Sequence, residues 1–423
     1  MILKSGFIIY LIVSEIYTIL LNKVRDAYRK RPLPKEVADI YDAKRYQDFL
    51  NYKSDYRKLS NVSTLITSGI NLFVIFSPFF QWMEKLGNPY IVLLVTILIL
   101  NCISHIQTYF ISHYATFVIE EKYEMNKKTQ KEFNKDFFLE TILDLGMEIV
   151  LYGIIVYICE HITHWTNNFQ ISYLQSFLFV TGILAVMGIL VFAFMGLSVL
   201  VLFKQYTFTN LEDEELLNEI NRMRKGVKKK IRGIKVYDES KKSTTKNAFV
   251  LNFPLYRIVG IADNFLNENS KRELYGVLAH EIGHLKHKKN IWNYIKYIFT
   301  ICLAIVLIWL IPNGMLIKNV TIWINSQFGL NSTCYYLYFM IIGILMEPIG
   351  FVLTVYNNFA TRIEEYEADQ NAVKEGYGED LIRLFKELSR DELVDVNPSP
   401  IIEFLEYDHP GMYQRILGLQ GKR

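Results

Sequence analysis

Long apolar runs alternate with polar, charge-rich stretches along most of the chain. A helix needs about 20 residues to cross a hydrocarbon layer roughly 30 Å thick. Seven runs approach or exceed that length, near 6–22, 60–82, 90–115, 139–160, 175–203, 292–312 and 335–357, and they predict seven transmembrane helices. The first, GFIIYLIVSEIYTILL, is followed by NKVRDAYRKR rather than a small-residue cleavage site, so it reads as a retained span and not a signal peptide. Asn71, Asn101 and Glu347, beside Pro348, interrupt otherwise apolar runs and predict helices that face protein or a water-filled cavity. The chain divides on this pattern into 1–205 with spans one to five, 206–291 as a polar insert, 292–357 with spans six and seven, and a C-terminal piece, 358–423.

The polar pieces have periods of their own. In LEDEELLNEINRMRKGVKKKIRG, Leu216, Ile220 and Met223 recur at helical spacing and predict a surface helix. Short β-rich segments at 234–237, 247–251 and 256–261, separated by polar turns, predict a small sheet. A cap-like Asn or Ser in NENSKREL opens another helix, which carries Leu274, Val277 and Leu278 toward the sixth span. The C-terminal piece is helical in pattern throughout. The fold class is mainly α, a polytopic membrane protein with a polar domain containing a small β-sheet.

Composition agrees: 51% of the 423 residues are hydrophobic. Charge adds orientation, because loops rich in Lys and Arg stay cytosolic. Eleven such residues lie between the first two spans, five between the third and fourth, and eighteen between the fifth and sixth, against a nearly bare alternate side with Lys4, Lys85 and Lys318. The N-terminus is therefore expected outside or in a lumen, with 204–291 and the C-terminal piece cytosolic. The net charge of +3 is a topology signal with no basic stripe, which speaks against nucleic acid as a partner. Cys102, Cys159, Cys302 and Cys334 sit in or beside apolar runs without CxxC spacing and read as small buried hydrophobes.

The chemistry is concentrated in GVLAHEIGHLKH, 276–287. His280 and His284 are four apart, so a helix points both imidazoles from one face toward one metal ion. Glu281 is offset by one residue and reaches the attacking water rather than the metal, the H-E-x-x-H arrangement with glutamate as general base. Gly283 leaves room for another backbone to approach. The same spacing also fits two histidines that merely decorate a cytosolic helix. His287 lies on the same helix and cannot readily complete a tetrahedral centre, so it is read as outlying. In TRIEEYEADQNAV, Glu365 and Asp369 are four apart, so Glu365 can complete the site while Asp369 orients a ligand histidine through its other nitrogen. An ordinary acidic helix would account for Glu364 and Glu367 equally well.

Together with these motifs, YATFVIEEKYEMNKKT (114–129), KNAFV (246–250), PIGFVLTVYNNFATRIEEYEADQNAV (348–373) and DHPGMYQRI (408–416) are similar to the type 1 CAAX prenyl proteases. That family consists of integral-membrane zinc metallopeptidases that process prenylated protein C-termini. The resemblance implies one zinc ion held by His280, His284 and Glu365, with Glu281 as the base and Asp369 behind the ligands. It also implies that Asn247 meets the substrate backbone, and that His409 and Arg415 stabilise the oxyanion and brace the site. Leu285 stands where the family commonly has tryptophan. The implied fold is a hollow helical barrel around a chamber, and the implied partners are prenylated CAAX proteins and the lipid bilayer. The implied location is the endoplasmic reticulum membrane, extending to the nuclear envelope. Two other readings compete: a membrane quality-control metalloprotease that degrades misfolded proteins, whose relatives carry fewer spans, and an idle scaffold, which would tend to lose the base or a ligand.

Overall fold

The computed structural model describes residues 2–168, 204–225, 227, 231–253, 256–286 and 315–422, with isolated positions between 182 and 196. The expected fifth and sixth spans and His287 lie outside them. Among the described residues, five helices are long and apolar enough to cross a membrane. They are α1 (Ile2–Arg29), α2 (Ala43–Phe76), α4 (Pro89–Tyr114) with a π-helical extension to Glu120, α5 (Gln130–Asn168) and α10 (Tyr335–Lys374). Their outer surfaces are apolar: Ile9, Leu65, Phe110, Phe138, Leu345 and Val352 are each more than half exposed. A surface of that extent is suited to lipid and not to water.

Local chemistry sets the ends of these helices. Asp42 caps α2 by accepting from Arg45 N at 2.7 Å. Asn88 caps α4 ahead of Pro89, whose missing N–H costs nothing at a first helical position. The second apolar run was expected as one helix over 60–82, but the helix breaks at Ser77–Pro78 and resumes as a short α3 (Phe79–Glu84). The ring of Pro78 pushes Ser77 into an extended conformation that ends α2. In the opposite sense, the seventh run does not stop at 357. Helix α10 continues unbroken through Pro348 to Lys374, 40 residues or about 60 Å, and so carries Glu365 and Asp369 on the same rod as the membrane segment.

Polar groups inside the apolar runs face other helices. Asn101 donates to Glu148 of α5 at 2.7 Å, and Tyr10 donates to Glu347. Asn71 lines a cavity of about 340 Å³ with Asn101 and Gln107.

The polar insert builds a four-stranded sheet from β1 (Phe208–Asn210), β2 (Gly233–Tyr237), β3 (Ala248–Phe253) and β4 (Tyr256–Ala262), in the order β1-β2-β4-β3. Among the described strands, β2 and β4 run parallel and the other neighbours antiparallel. The expected strands appear within two residues of their bounds; β1, three residues long, was not foreseen. Phe249 and Gly260 pair across β3 and β4, and the Phe249 ring occupies the space a Gly260 side chain would need. The expected surface helix is α6 (Glu214–Met223), with Asp213 as its cap and Leu216, Ile220 and Met223 fully buried.

After a short α7 (Asp263–Glu268) comes α8 (Lys271–Lys286). Ser270 and Glu273 form its reciprocal cap: Glu273 N donates to Ser270 Oγ at 3.3 Å, and Ser270 N donates to Glu273 Oε2 at 3.1 Å. Leu274, Leu278, Ala279, Ile282 and Leu285 join the largest apolar cluster, which also holds Val259 and Ile261 of the sheet. A further helix, α9 (Met315–Phe328), precedes α10, and α11 (Gly378–Asp391), α12 (Pro400–Glu406) and α13 (Met412–Leu419) follow it. These last three wrap the part of α10 that faces α8.

Candidate metal centre

The centre lies where α8 crosses α10. A Cβ at Gly283 would stand 2.8 Å from the Ala368 Cα, so the missing side chain lets the two helix backbones meet. Asn371 of α10 ties the crossing by donating to Ala279 O at 2.6 Å. With core residues of α8 turned toward the sheet, His280 and His284 are left facing α10. There a stripe of buried positions, Arg362, Glu365, Asp369 and Ala372, faces back.

Four atoms converge on one point. His280 Nε2 and His284 Nε2 lie 3.2 Å apart; Glu365 Oε1 is 3.2 Å from His284 Nε2, and Glu365 Oε2 is 3.4 Å from His280 Nε2. His280 Nδ1 is 2.9 Å from Asp369 Oδ1, and that carboxylate, an acceptor only, fixes the ring proton on Nδ1. His280 Nε2 therefore turns a lone pair inward. Glu365 Oε2 is buried without any hydrogen-bond donor. Buried lone pairs facing one another with no donor between them are unfavourable unless a cation sits among them. Two imidazoles and a carboxylate with ligand atoms within 4.8 Å form a donor set suited to zinc, with a fourth position open.

The electrostatics point the same way. Burial works against charge on His280, but the carboxylates of Asp369 and Glu365 beside it outweigh burial and push the imidazole up to about 9. The pocket draws positive charge toward this nitrogen. Burial raises the Glu281 carboxyl above its usual range, against the pull of His280 and His284. Glu281 Oε2 accepts from Val250 N of β3 at 3.2 Å, which orients the carboxylate and leaves its other oxygen free.

Arg415, on α13, is buried and clasps Asp369 with two bonds, Nε to Oδ2 at 2.9 Å and Nη2 to Oδ1 at 2.6 Å. Its guanidinium stacks over Phe385 at 4.1 Å and lies 3.4 Å from Glu365. Burial opposes its charge, yet Asp369 beside it keeps it firmly cationic. His409 approaches from the other side, more than half exposed, with Nε2 3.5 Å from Glu365 Oε1 and Nδ1 2.9 Å from Asp408. Seven of the eight residues singled out in the sequence thus fall into one cluster. The eighth, Asn247, sits immediately ahead of β3, exposed; its carbonyl accepts from Ala262 N at 2.9 Å, and among the described residues its side chain makes no hydrogen bond to the cluster. The part played by Val250 N–H, Phe385 and Asn371 left no mark in the sequence beyond residue type.

Comparison with known proteins gives the same answer for both halves. Residues 210–423 match the profile of peptidase family M48, and residues 23–194 match that of the CAAX prenyl protease N-terminal region with five membrane helices. The chain is 30% identical to CAAX prenyl protease 1 of Saccharomyces cerevisiae, over 73% of this chain and 68% of that protein. It is 26% identical to the probable CAAX prenyl protease 1 of Schizosaccharomyces pombe, over 92% and 82%. Against the Arabidopsis thaliana homologue the figure is 24%, over 99% and 96%. The fold superposes on the crystal structure of S. mikatae Ste24p with a TM-score of 0.74, 23% identity and 98% of each chain covered. The chain is a membrane metalloprotease that belongs to the M48 peptidase family, among the proteins of the CAAX prenyl protease 1 type.

Proposed function

We propose that this chain is a zinc endopeptidase that removes the C-terminal three residues of prenylated CAAX proteins, cutting after the prenyl cysteine. The observation that carries the reading is the convergence of His280, His284 and Glu365 beside Glu281, at the end of a helix that begins as a membrane span. His280, His284 and Glu365 would hold the zinc. Bound there, zinc supplies a Lewis acid that polarises the scissile carbonyl and acidifies water. Glu281, oriented by Val250 N–H, takes the proton of the attacking water on its free oxygen and passes it to the leaving amine. His409 meets the developing oxyanion. Asp369 fixes the His280 ring, Arg415 holds Asp369, and Asn247 receives the substrate backbone next to β3.

The membrane organisation belongs to the same reading. Residues 1–205 carry spans one to five, 206–291 the HEIGH part of the protease domain, 292–357 spans six and seven, and 358–423 the EYEAD part. The seven helices enclose a hollow barrel in the endoplasmic reticulum membrane and nuclear envelope, with the site on the cytosolic side and the N-terminus lumenal. The distribution of Lys and Arg supports that orientation. A prenyl chain gains about 0.8 kcal/mol per buried CH₂ on entering lipid, which concentrates the substrate at the membrane face where the site opens.

The test is cleavage of a farnesylated CAAX peptide and its unprenylated twin by the detergent-purified chain, in parallel with Glu281→Gln. The intact protein is expected to prefer the prenylated peptide, and the variant to bind zinc but not cut. Degradation of casein-like substrates without CAAX cleavage would replace this reading with quality-control proteolysis. No cleavage of anything with zinc supplied would end it.

A further inference from the structure

Four buried polar side chains share one stripe of α10: Asn358, Arg362, Glu365 and Asp369, spaced by four, three and four residues. The last two belong to the metal centre. The first two serve a different element. Arg362 Nη1 donates to Glu403 O at 2.9 Å and to Tyr407 O, and Asn358 Nδ2 donates to Leu405 O at 3.3 Å. Leu405 O and Tyr407 O lie at the end of α12 and just past it, where a helix leaves C=O groups without intrahelical partners, while Glu403 O, one turn earlier, also accepts from Tyr407 N at 3.2 Å. The chain there runs straight into Asp408-His409-Pro410-Gly411. Its far side is closed by Gly411 N, which donates to Glu403 Oε1 at 3.0 Å.

His409 has little to hold it otherwise. Its side chain is more than half exposed, and among the described residues its ion-pair contacts are to Asp408 and Glu365. A side chain that must meet a transient charge needs its backbone fixed to a fraction of an ångström. Arg362 supplies a fixed point. Among the described residues its buried guanidinium forms no ion pair and donates to the two carbonyls. Keeping a cation buried to hold backbone carbonyls is costly, and packing alone would be met by a neutral side chain. One helical turn separates Arg362 from Glu365, so the same rod that carries a metal ligand also sets the loop that brings His409 to it.

We propose that Arg362, assisted by Asn358, is the positioning residue for His409 and acts on catalysis through it. The inference rests on the reading of His409 as the group that meets the oxyanion. The test is a double-mutant cycle on the full-length purified protein with farnesylated CAAX peptide, using Arg362→Gln, His409→Ala and their combination. Arg362→Gln is expected to lower kcat on the order of tenfold to a hundredfold, with KM nearly unchanged and zinc content intact. The double variant is expected to be no slower than His409→Ala alone. Losses that multiply in the double variant, or loss of zinc from Arg362→Gln, overturn the inference and leave the protease reading in place. If His409→Ala keeps full kcat, the role of His409 falls and this inference with it; if the intact chain does not cleave, the protease reading falls first. Should Arg362→Gln fail to fold, Asn358→Ala takes its place in the same cycle, with a smaller loss expected and the same non-additivity required.

Discussion

Asp369 is the residue through which the centre is assembled: it accepts hydrogen bonds from His280 Nδ1 and from Nε and Nη2 of Arg415, all inside the protein. Asp369→Asn keeps the shape but removes the charge that fixes the His280 tautomer and neutralises Arg415. Zinc affinity is expected to fall about tenfold to a hundredfold, the usual effect of losing such a partner, measured by competition with a chromophoric chelator. Arg415 loses its bidentate carboxylate and keeps only the longer 3.4 Å approach of Glu365, so the melting temperature should fall as well. An unchanged affinity would mean that the His280 tautomer is held some other way. Glu392, at the end of α11, makes a contrasting case away from the metal. Burial and the neighbouring Asp391 push its carboxyl up to about 7. A carboxyl raised in the folded state favours the protonated form, so its contribution is full below its unfolded value and is lost as pH rises toward 7. Glu392→Gln is therefore expected to stabilise the protein at pH 8 and to make little difference near pH 4. Allowing for its partial solvent contact, the gain is on the order of 1–2 kcal/mol. A stabilisation equal at both pH values would show that the carboxyl is not strained by burial.

The meeting of α8 and α10 depends on Gly283, where a methyl would enter the space of the Ala368 Cα. Gly283→Ala must part the helices, at a cost of about 1–3 kcal/mol for an overpacked contact, and in doing so draw His280 and His284 away from Glu365. The expected result is a lower zinc content at a fixed metal concentration, read by atomic absorption, together with a lower melting temperature. Full zinc occupancy would show that the crossing has slack. This contact also shows what could be read from the chain. Histidines four apart, a glycine between them and a second acidic pair four apart are local patterns, and local patterns on helices project onto faces without any knowledge of tertiary structure. Apolar runs behave in the same way, since lipid imposes one length on all of them. What was hidden is what depends on distant partners. Val250 offers its N–H to Glu281 only because β3 is an edge strand next to α8. Phe385 lies under Arg415 only because α11 folds back on α13. The break at Ser77–Pro78 had a local signal in the proline, but the apolar run on both sides masked it.

The two ends of the helical bundle are built differently, and the difference bears on which side of the membrane each faces. One end is closed by apolar packing of Val74, Phe79, Phe80 and Val92 against Phe328 and Leu330. It is joined by Asn331 N donating to Glu84 Oε1 at 2.7 Å, and it carries few basic residues. The other end is tied to the protease domain by charge and backbone pairing. Arg29 meets Asp395 at 2.7 Å, Lys242 meets buried Asp136 at 2.9 Å, and Asn126 bridges to Ser243. Because the basic loops belong to the end that carries the metal centre, the positive-inside tendency and the placement of the site favour the same orientation. The prediction is that Lys85 lies across the bilayer from Lys127 and Glu379, all three being exposed. Single cysteines introduced as Lys85→Cys, Lys127→Cys and Glu379→Cys, in a background lacking the native cysteines, can be probed in sealed right-side-out microsomes with a membrane-impermeant maleimide. Lys127→Cys and Glu379→Cys are expected to label in intact vesicles, and Lys85→Cys only after permeabilisation. Labelling of all three in intact vesicles would place both ends of the bundle on one side, which α2 and α4 can satisfy only by not crossing the membrane. Labelling of Lys85→Cys alone would reverse the orientation and put the metal centre on the lumenal side.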